Sequence, residues 1–215
     1  MTLHPDALLA GASGLVGREI ARHWPGPGTL HTLLRRPPPG AAAGKALVVD
    51  FAALPALPRA GTAFCALGTT IKTAGSQAAF RAVDFDAVLA FARAARAAGV
   101  SRFATVSALG ANARSSNFYS RVKGEAEAAL AELGFDCLLI ARPSLLVGDR
   151  EAIGQPTRSG ETLAIALTRP LAPLIPAAWR PISAATVARA LLRAAADARP
   201  GLRVLSSGEM QSLGR

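Results

Sequence analysis

The sequence predicts an α/β fold: a doubly wound, mainly parallel sheet flanked by helices, with a small C-terminal substrate-covering segment. Three observations predict it. Apolar runs of strand length alternate with helical stretches along most of the chain. A composition of 51% apolar and only 18% charged residues suits strands covered by helices on both faces, and it excludes a disordered chain. The first run, Leu8-Leu9-Ala10, enters a glycine-punctuated turn that opens a helix. A chain of 215 residues is sized for one such domain, residues 1–215, with 144–182 as the irregular covering segment inside it.

The turn is Gly11-Ala12-Ser13-Gly14-Leu15-Val16-Gly17. Gly11 allows the tight turn, Gly14 lets backbone approach a pyrophosphate, and Gly17 lets the helix pack closely on the strand it has left. The helix start then offers free N–H groups and a positive dipole end to phosphate. The spacing G-x-x-G-x-x-G is a variant of the dinucleotide fingerprint, and a ligand-free glycine turn would have the same local sequence.

The helix is expected to reach Trp24-Pro25, and Thr29–Leu34 to form the second strand, stopping at Arg35-Arg36-Pro37. In a nucleotide-binding βαβ unit this position meets the adenosine ribose. An acid there binds a free 2′-hydroxyl, and an arginine accepts a 2′-phosphate. Arg35 and Arg36 stand there without Asp or Glu, which points to NADP(H) rather than NAD(H); the pair would also suit the start of a solvated loop.

A third strand, Ala46–Phe51, brings Asp50 and Phe51 to the adenine side. A fourth, from Thr62, opens into Leu67-Gly68-Thr69, a stretch fitted to wall the cofactor because a glycine at a strand's carboxyl end lets backbone lie against a ligand. One long helix is expected over Gln77–Ala98, stopped by Gly99. The fifth strand, Ser101–Ser107, delivers Ser107 to the same edge, and a second long helix runs from Phe118 to Gly134. The sixth strand, Phe135–Pro143, brings Pro143 into the cofactor-facing set. Beyond it a short helix is expected near Glu161–Thr168, then an amphipathic helix over Ala184–Ala198 and a short strand over Leu202–Leu205.

Tyr119 and Lys123 stand four residues apart on a predicted helix, so their side chains share one face. A nearby ammonium favours the ionised form of a phenol, which suits proton exchange with a substrate oxygen. Ser107 could donate a hydrogen bond to that oxygen. Tyr119 is the sole tyrosine, and of 24 basic residues only Lys45, Lys72 and Lys123 are lysines. A chain that uses arginine nearly everywhere has a compact ammonium one turn after its sole tyrosine. A half-buried tyrosine beside a snorkelling lysine is the bland alternative.

Gly11-x-x-Gly14-x-x-Gly17, Ser107 and Tyr119-x-x-x-Lys123 together resemble the short-chain dehydrogenase/reductase superfamily over nearly the whole chain. The stretches Val106–Ala111, Ser115–Tyr119, Val122–Glu125 and Arg142-Pro143-Ser144 resemble its atypical NAD(P)H-binding branch, near the Tat-interacting-protein oxidoreductases and short bacterial proteins classed with nucleoside-diphosphate-sugar epimerases. The resemblance implies a Rossmann-like fold and an NADP(H)-dependent oxidoreductase acting on a small carbonyl or hydroxyl compound. It further implies that Tyr119 is the general acid/base, that Lys123 lowers its pKa and holds the nicotinamide ribose, and that Ser107 orients the substrate oxygen. An NADP(H)-binding redox sensor with little turnover is the alternative. A sugar-nucleotide epimerase or dehydratase is disfavoured by the roughly 70 residues after the sixth strand, little with which to grip a nucleotide sugar.

The charge of +10 raises nucleic acid as a partner. Basic residues such as Arg18, Arg22, Arg93, Arg96, Arg189 and Arg193 are nevertheless spread at helical spacings without interleaved aromatics, so none is expected. Cys65 and Cys137 sit in apolar runs and read as reduced core residues. His4, His23 and His31 do not cluster with carboxylates, and no metal is expected. The chain shows neither a signal-peptide pattern nor a bilayer-spanning run. The expectation is a cytoplasmic monomer or homodimer acting on a small-molecule substrate, away from membranes.

Overall fold

Runs that are apolar at every position become strands here because both faces of the sheet are covered. The computed structural model describes residues 5–37, 44–148, 176 and 178–215. Its elements are β1 (Ala7–Ala10), α1 (Leu15–Arg22), β2 (Leu30–Leu34), β3 (Lys45–Val48), β4 (Thr62–Cys65), α2 (Ile71–Ala74), α3 (Gln77–Arg81) and α4 (Ala87–Ala97). Then follow β5 (Arg102–Val106), α5 (Phe118–Ala131), β6 (Cys137–Arg142), β7 (Leu146–Val147), β8 (Ile182–Ser183), α6 (Ala184–Asp197), β9 (Gly201–Ser206) and α7 (Ser207–Leu213).

Seven strands form one sheet in the order β3-β2-β1-β4-β5-β6-β9, and every pairing is parallel. The order turns back on itself between β1 and β4. In doubly wound sheets a ligand crevice opens at that switch point, outside the strands' carboxyl ends.

β1 shows why the pattern is continuous. Ala7 and Leu9 face one way, into a core with Val16 and Ile20 of α1 and Val187 and Leu191 of α6. Leu8 and Ala10 face the other way, onto Phe91 and Ala92 of α4 and Leu130 of α5. All four are fully buried, so neither register of an alternating pattern would serve.

The structure departs from the expected elements in four places. The helix over 77–98 is divided by a π-helical turn, Ala82–Asp86, between α3 and α4. Helical periodicity alone cannot show one added residue per turn. A short α2 precedes it, capped by the Thr70 side chain accepting from the Thr73 N–H and ended by Gly75 at φ +86°. Past the last strand, α7 starts from a capping box in which Ser206 and Glu209 exchange hydrogen bonds. β7 and β8 pair in parallel, bringing together residues near the two ends of the covering segment. Within that segment residues 149–175 and 177, including the helix expected near Glu161–Thr168, lie outside the described residues. Among the described residues, no helix is long and apolar enough to cross a membrane.

Candidate active site

The carboxyl end of β1 runs straight into the glycine turn. Gly11 adopts φ +85°, and a Cβ there would lie 2.5 Å from the carbonyl of Ala66, just past β4. The Gly14 N–H closes the turn on the Gly11 carbonyl at 3.0 Å. Gly14 is the N-cap of α1 and supplies no side-chain bond to the first-turn N–H groups. A helix start leaves such groups without intrahelical partners, available to an anion. An added Cβ at Gly14 would meet only the Gly11 and Ala66 carbonyl oxygens, at 3.4 and 3.9 Å. A small side chain would therefore fit there at ordinary contact distances.

Arg35 and Arg36 follow the carboxyl end of β2 and are exposed. Asp50 and Phe51 follow β3 on the same side of the switch point. Asp50 is exposed and accepts from the Ala52 N–H at 2.9 Å, folding its loop back, whereas Phe51 is buried in the α4-side core. Past β4, Leu67 and Thr69 are half-buried and Gly68 is exposed. The Pro143 carbonyl, beyond β6, accepts from the Leu109 N–H at 3.0 Å and extends the β5–β6 edge.

Tyr119 lies in the first turn of α5, whose N-cap Asn117 accepts from the Ser120 N–H. The Tyr119 ring is half-buried, with its centroid 5.4 Å from that of Phe80 in α3. Lys123, one turn on, is 6% exposed, which for a lysine demands a partner. That partner is Asp84, 1% exposed, whose Oδ1 lies 2.8 Å from Lys123 Nζ. The other oxygen, Oδ2, accepts from the Thr69 N–H at 2.8 Å. Burial works against the Lys123 ammonium, but attraction by Asp84 and Tyr119 and the hydrogen bond to Asp84 outweigh it, so the pKa lies above the ordinary lysine value. Lys123 stays charged.

Ser107 stands just past β5, and its hydroxyl donates to Glu127 Oε1. Glu127 is 7% exposed and is held two-pronged by Arg142 at the end of β6, whose Nε donates to Oε1 at 3.0 Å and whose second nitrogen reaches Oε2 at 2.5 Å. Asp84, Thr105, Ser107, Lys123 and Glu127 line one small, partly open cavity of about 10 Å³. Gly124 lets the loop after β5 cross α5 closely, since a Cβ there would lie 2.1 Å from the Ala113 nitrogen.

Asp84, Glu127 and Arg142 were not among the residues expected to form the site. Glu127 did carry a signal, because Tyr119, Lys123 and Glu127 are spaced four apart and make one stripe. Asp84 stands four residues after buried Phe80, a carboxylate on an apolar helix face. Among the described residues no group of three or more His, Cys, Asp or Glu side chains could hold a metal ion.

No family model matches the sequence. Protein HTATIP2 of Rattus norvegicus is 41% identical over 152 residues, which cover 67% of this chain and 59% of that protein, so the chain spans less than two thirds of this relative. Protein FMP52, mitochondrial, of Debaryomyces hansenii is 35% identical over 155 residues, covering 68% of this chain and 69% of that one. Among solved structures, MoeE5 in complex with UDP-glucose and NAD superposes with a TM-score of 0.67 at 19% identity, over 97% of this chain and 80% of that one. That likeness establishes the Rossmann-like fold. Several fungal relatives are named mitochondrial, and this overturns the expectation of a cytoplasmic protein, which rested only on an unremarkable N-terminal composition.

Proposed function

The chain belongs to the family of HTATIP2 and the FMP52 proteins, in the atypical NAD(P)H-binding branch of the short-chain dehydrogenase/reductase superfamily, and on that premise we propose that it is an NADP(H)-dependent oxidoreductase acting on a small carbonyl or hydroxyl compound. The observation that carries this reading is Lys123: a buried, charged ammonium one helical turn from the sole tyrosine, beside the turn that follows β4.

The chain's residues fit a dinucleotide. Gly14 and the uncapped N–H groups of Leu15, Val16 and Gly17 would receive the diphosphate, with Gly11, Ala12 and Ser13 shaping the turn. Arg35 and Arg36, exposed past β2, would take a 2′-phosphate. Asp50 would border the adenosine, Phe51 would support it from the core, and Leu67, Gly68, Thr69 and Pro143 would wall the nicotinamide half. When bound, the nicotinamide supplies or accepts the hydride. In this reading Lys123 holds the ribose, and Tyr119 gives a proton to the substrate oxygen in reduction and takes it in oxidation. Ser107 would orient that oxygen, and to donate to it the hydroxyl must turn away from Glu127. Residues 144–182 would cover the substrate within a single domain spanning 1–215.

That inward Ser107 bond is also what favours a second reading, an NADP(H)-binding sensor with little turnover. Calorimetric titration with NADPH and NADH at fixed ionic strength tests the common part of both. Tighter NADPH binding, with the preference lost in an Arg35→Ser/Arg36→Ser variant, is the expected result; binding of neither nucleotide would overturn both readings. Tyr119→Phe should then abolish carbonyl reduction across a panel of small aldehydes and ketones while NADPH affinity stays within a few-fold of wild type. Unchanged turnover would remove Tyr119 from the mechanism.

A further inference from the structure

The Ser107 hydroxyl points its proton inward. Its Oγ donates to Glu127 Oε1, an atom that also accepts from Arg142 Nε at 3.0 Å, while the second Glu127 oxygen accepts from Arg142 at 2.5 Å. Glu127 is ion-paired with Arg142 and, as a carboxylate, only accepts. The bond from Ser107 is therefore charge-assisted, about twice as strong as one between neutral groups. Ser107 is 8% and Glu127 7% exposed, so turning the hydroxyl away would strip a buried carboxylate of a donor. The backbone is fixed as well, since the Ser107 N–H donates to the Ala141 carbonyl at 2.7 Å.

A hydroxyl has one proton and two lone pairs, so Ser107 bonded in this way still accepts but no longer donates. Within the oxidoreductase reading, on which this inference rests, Tyr119 supplies the proton to the reacting oxygen. A bare carbonyl has no proton to offer Ser107 and would set its lone pairs against those of Oγ. A hydroxyl on the neighbouring carbon has one. We propose that Glu127, by fixing the polarity of Ser107, makes the site selective for α-hydroxycarbonyl compounds, whose hydroxyl donates to Ser107 Oγ while the carbonyl oxygen faces Tyr119. The substrate is then oriented without the serine hydroxyl turning away from Glu127. In reduction the carbonyl carbon gains a hydride from NADPH and its oxygen gains the Tyr119 proton, giving a vicinal diol and NADP+. No bond of the neighbouring hydroxyl is made or broken, and oxidation of a vicinal diol is the reverse.

The polar neighbours in the same cavity are otherwise engaged. The Thr105 hydroxyl donates to the Cys65 carbonyl at 3.5 Å, and Lys123 is paired with Asp84. Ser107 is thus the group that meets the substrate hydroxyl, and Glu127 is a positioning residue that acts through it. A site that accepts from a substrate hydroxyl rejects an analogue lacking that proton more strongly than an apolar pocket does, because its buried acceptor is left without a partner.

The test follows NADPH oxidation with two matched pairs of ketones, hydroxyacetone against fluoroacetone and α-hydroxyacetophenone against α-fluoroacetophenone. Fluorine is close to hydroxyl in size and withdraws electrons, but it carries no proton. In wild type the hydroxyketone of a reduced pair should have a kcat/KM at least about ten-fold above that of its fluoroketone. Binding should follow the same order in saturation-transfer NMR on Tyr119→Phe with NADPH, where turnover is stopped. In Glu127→Leu/Arg142→Met the Ser107 proton is released to the substrate, so fluoroketone reduction should rise and the preference disappear or invert, a change that loosened structure alone would not produce. Equal or better use of the fluoroketone by wild type would overturn the inference without any variant, so it stays decidable if the double variant does not fold. An unchanged preference in the folded double variant would overturn it too, as would NADPH binding with none of the four ketones reduced. Absence of NADPH binding in calorimetry would sink the oxidoreductase reading and this inference with it, whereas fluoroketone reduction as fast as hydroxyketone reduction sinks the inference alone.

Discussion

A methyl group at Gly17 tests the junction of strand, turn and helix on which the cofactor reading depends. The Cβ of Gly17→Ala would lie 2.1 Å from the Gly11 carbonyl oxygen, 2.7 Å from the Gly11 carbonyl carbon and 2.9 Å from the Ala12 Cα, all backbone atoms that cannot swing aside. To regain ordinary contact, α1 must back away from the turn by roughly 1 Å or more. That shift loosens Val16 and Ile20, which fill the core between α1 and the sheet. Overpacking of this kind costs about 1–3 kcal/mol, and part of the helix packing is lost with it, against a gain of about 1 kcal/mol from replacing glycine inside a helix. The net expectation is a loss of about 2 kcal/mol. For a chain of this size it should lower Tm by roughly 4–8 °C. Gly14→Ala is the control: its Cβ meets nothing closer than 3.4 Å, and its backbone, φ −83° and ψ 171°, suits any residue. Its Tm should stay close to wild type while the added methyl stands where the diphosphate would approach. Thermal unfolding of both variants, with and without NADPH, separates the effects. Gly17→Ala should unfold early, and Gly14→Ala should unfold normally but lose the NADPH-induced rise. A Gly17→Ala protein as stable as wild type would refute the packing argument, and an undiminished NADPH response in Gly14→Ala would refute the placing of the diphosphate.

Two further outcomes follow from the ion pairs and the last helix. Arg142→Ala leaves the buried Glu127 carboxylate with only Ser107 donating to it, and since Arg142 itself is partly exposed the expected loss is about 2 kcal/mol by urea denaturation. A double Glu127→Leu/Arg142→Met variant should recover most of that loss, and a double variant worse than the single one would contradict the account. Glu209 has a pKa held below the ordinary carboxylate value by the Ser206 backbone N–H and hydroxyl. A lowered folded-state pKa stabilises above the unfolded value, and that contribution disappears as pH falls through the folded one. Protection of the α7 amides, corrected for the intrinsic pH dependence of exchange, should therefore fall below about pH 4.5 in wild type and show no such acid limb in Glu209→Gln; equal pH dependence of protection in the two would count against the capping box.

Much of the fold was legible because its signals are local. The doubly buried strands wrote themselves as continuous apolar runs, and the glycine turn appeared at β1, where close approach of α1 admits nothing larger at Gly17. Tyr119 and Lys123 were legible as a pair for the same reason, one turn of one helix. What stayed hidden depended on tertiary partners or on a change of helical period. Asp84 comes to Lys123 only because the π-turn and α5 pack together, and a 3.6-residue period carries no trace of that turn. The capping box of α7 and the Tyr119-Lys123-Glu127 stripe were readable in principle. Both required treating a single acidic residue as a signal in a chain otherwise dominated by basic surface.

That point bears on how the site is held together. The chain carries a net +10, yet among the described residues two acids, Asp84 and Glu127, are buried, and both lie at the carboxyl end of the sheet. Asp84 ties the turn after β4 to a cation on α5, and Glu127 ties the residue past β5 to a cation at the end of β6. Each carboxylate thus fixes one loop edge of the expected crevice against a neighbouring element. Buried ion pairs add little net stability compared with apolar packing, because desolvation offsets their attraction, but breaking one by removing a partner is costly. Such pairs therefore suit a place where relative position matters more than gross stability. On this argument the two acids would be the rigid frame of the proposed site, and Tyr119, half-buried with its ring against Phe80, would be the member that meets a substrate.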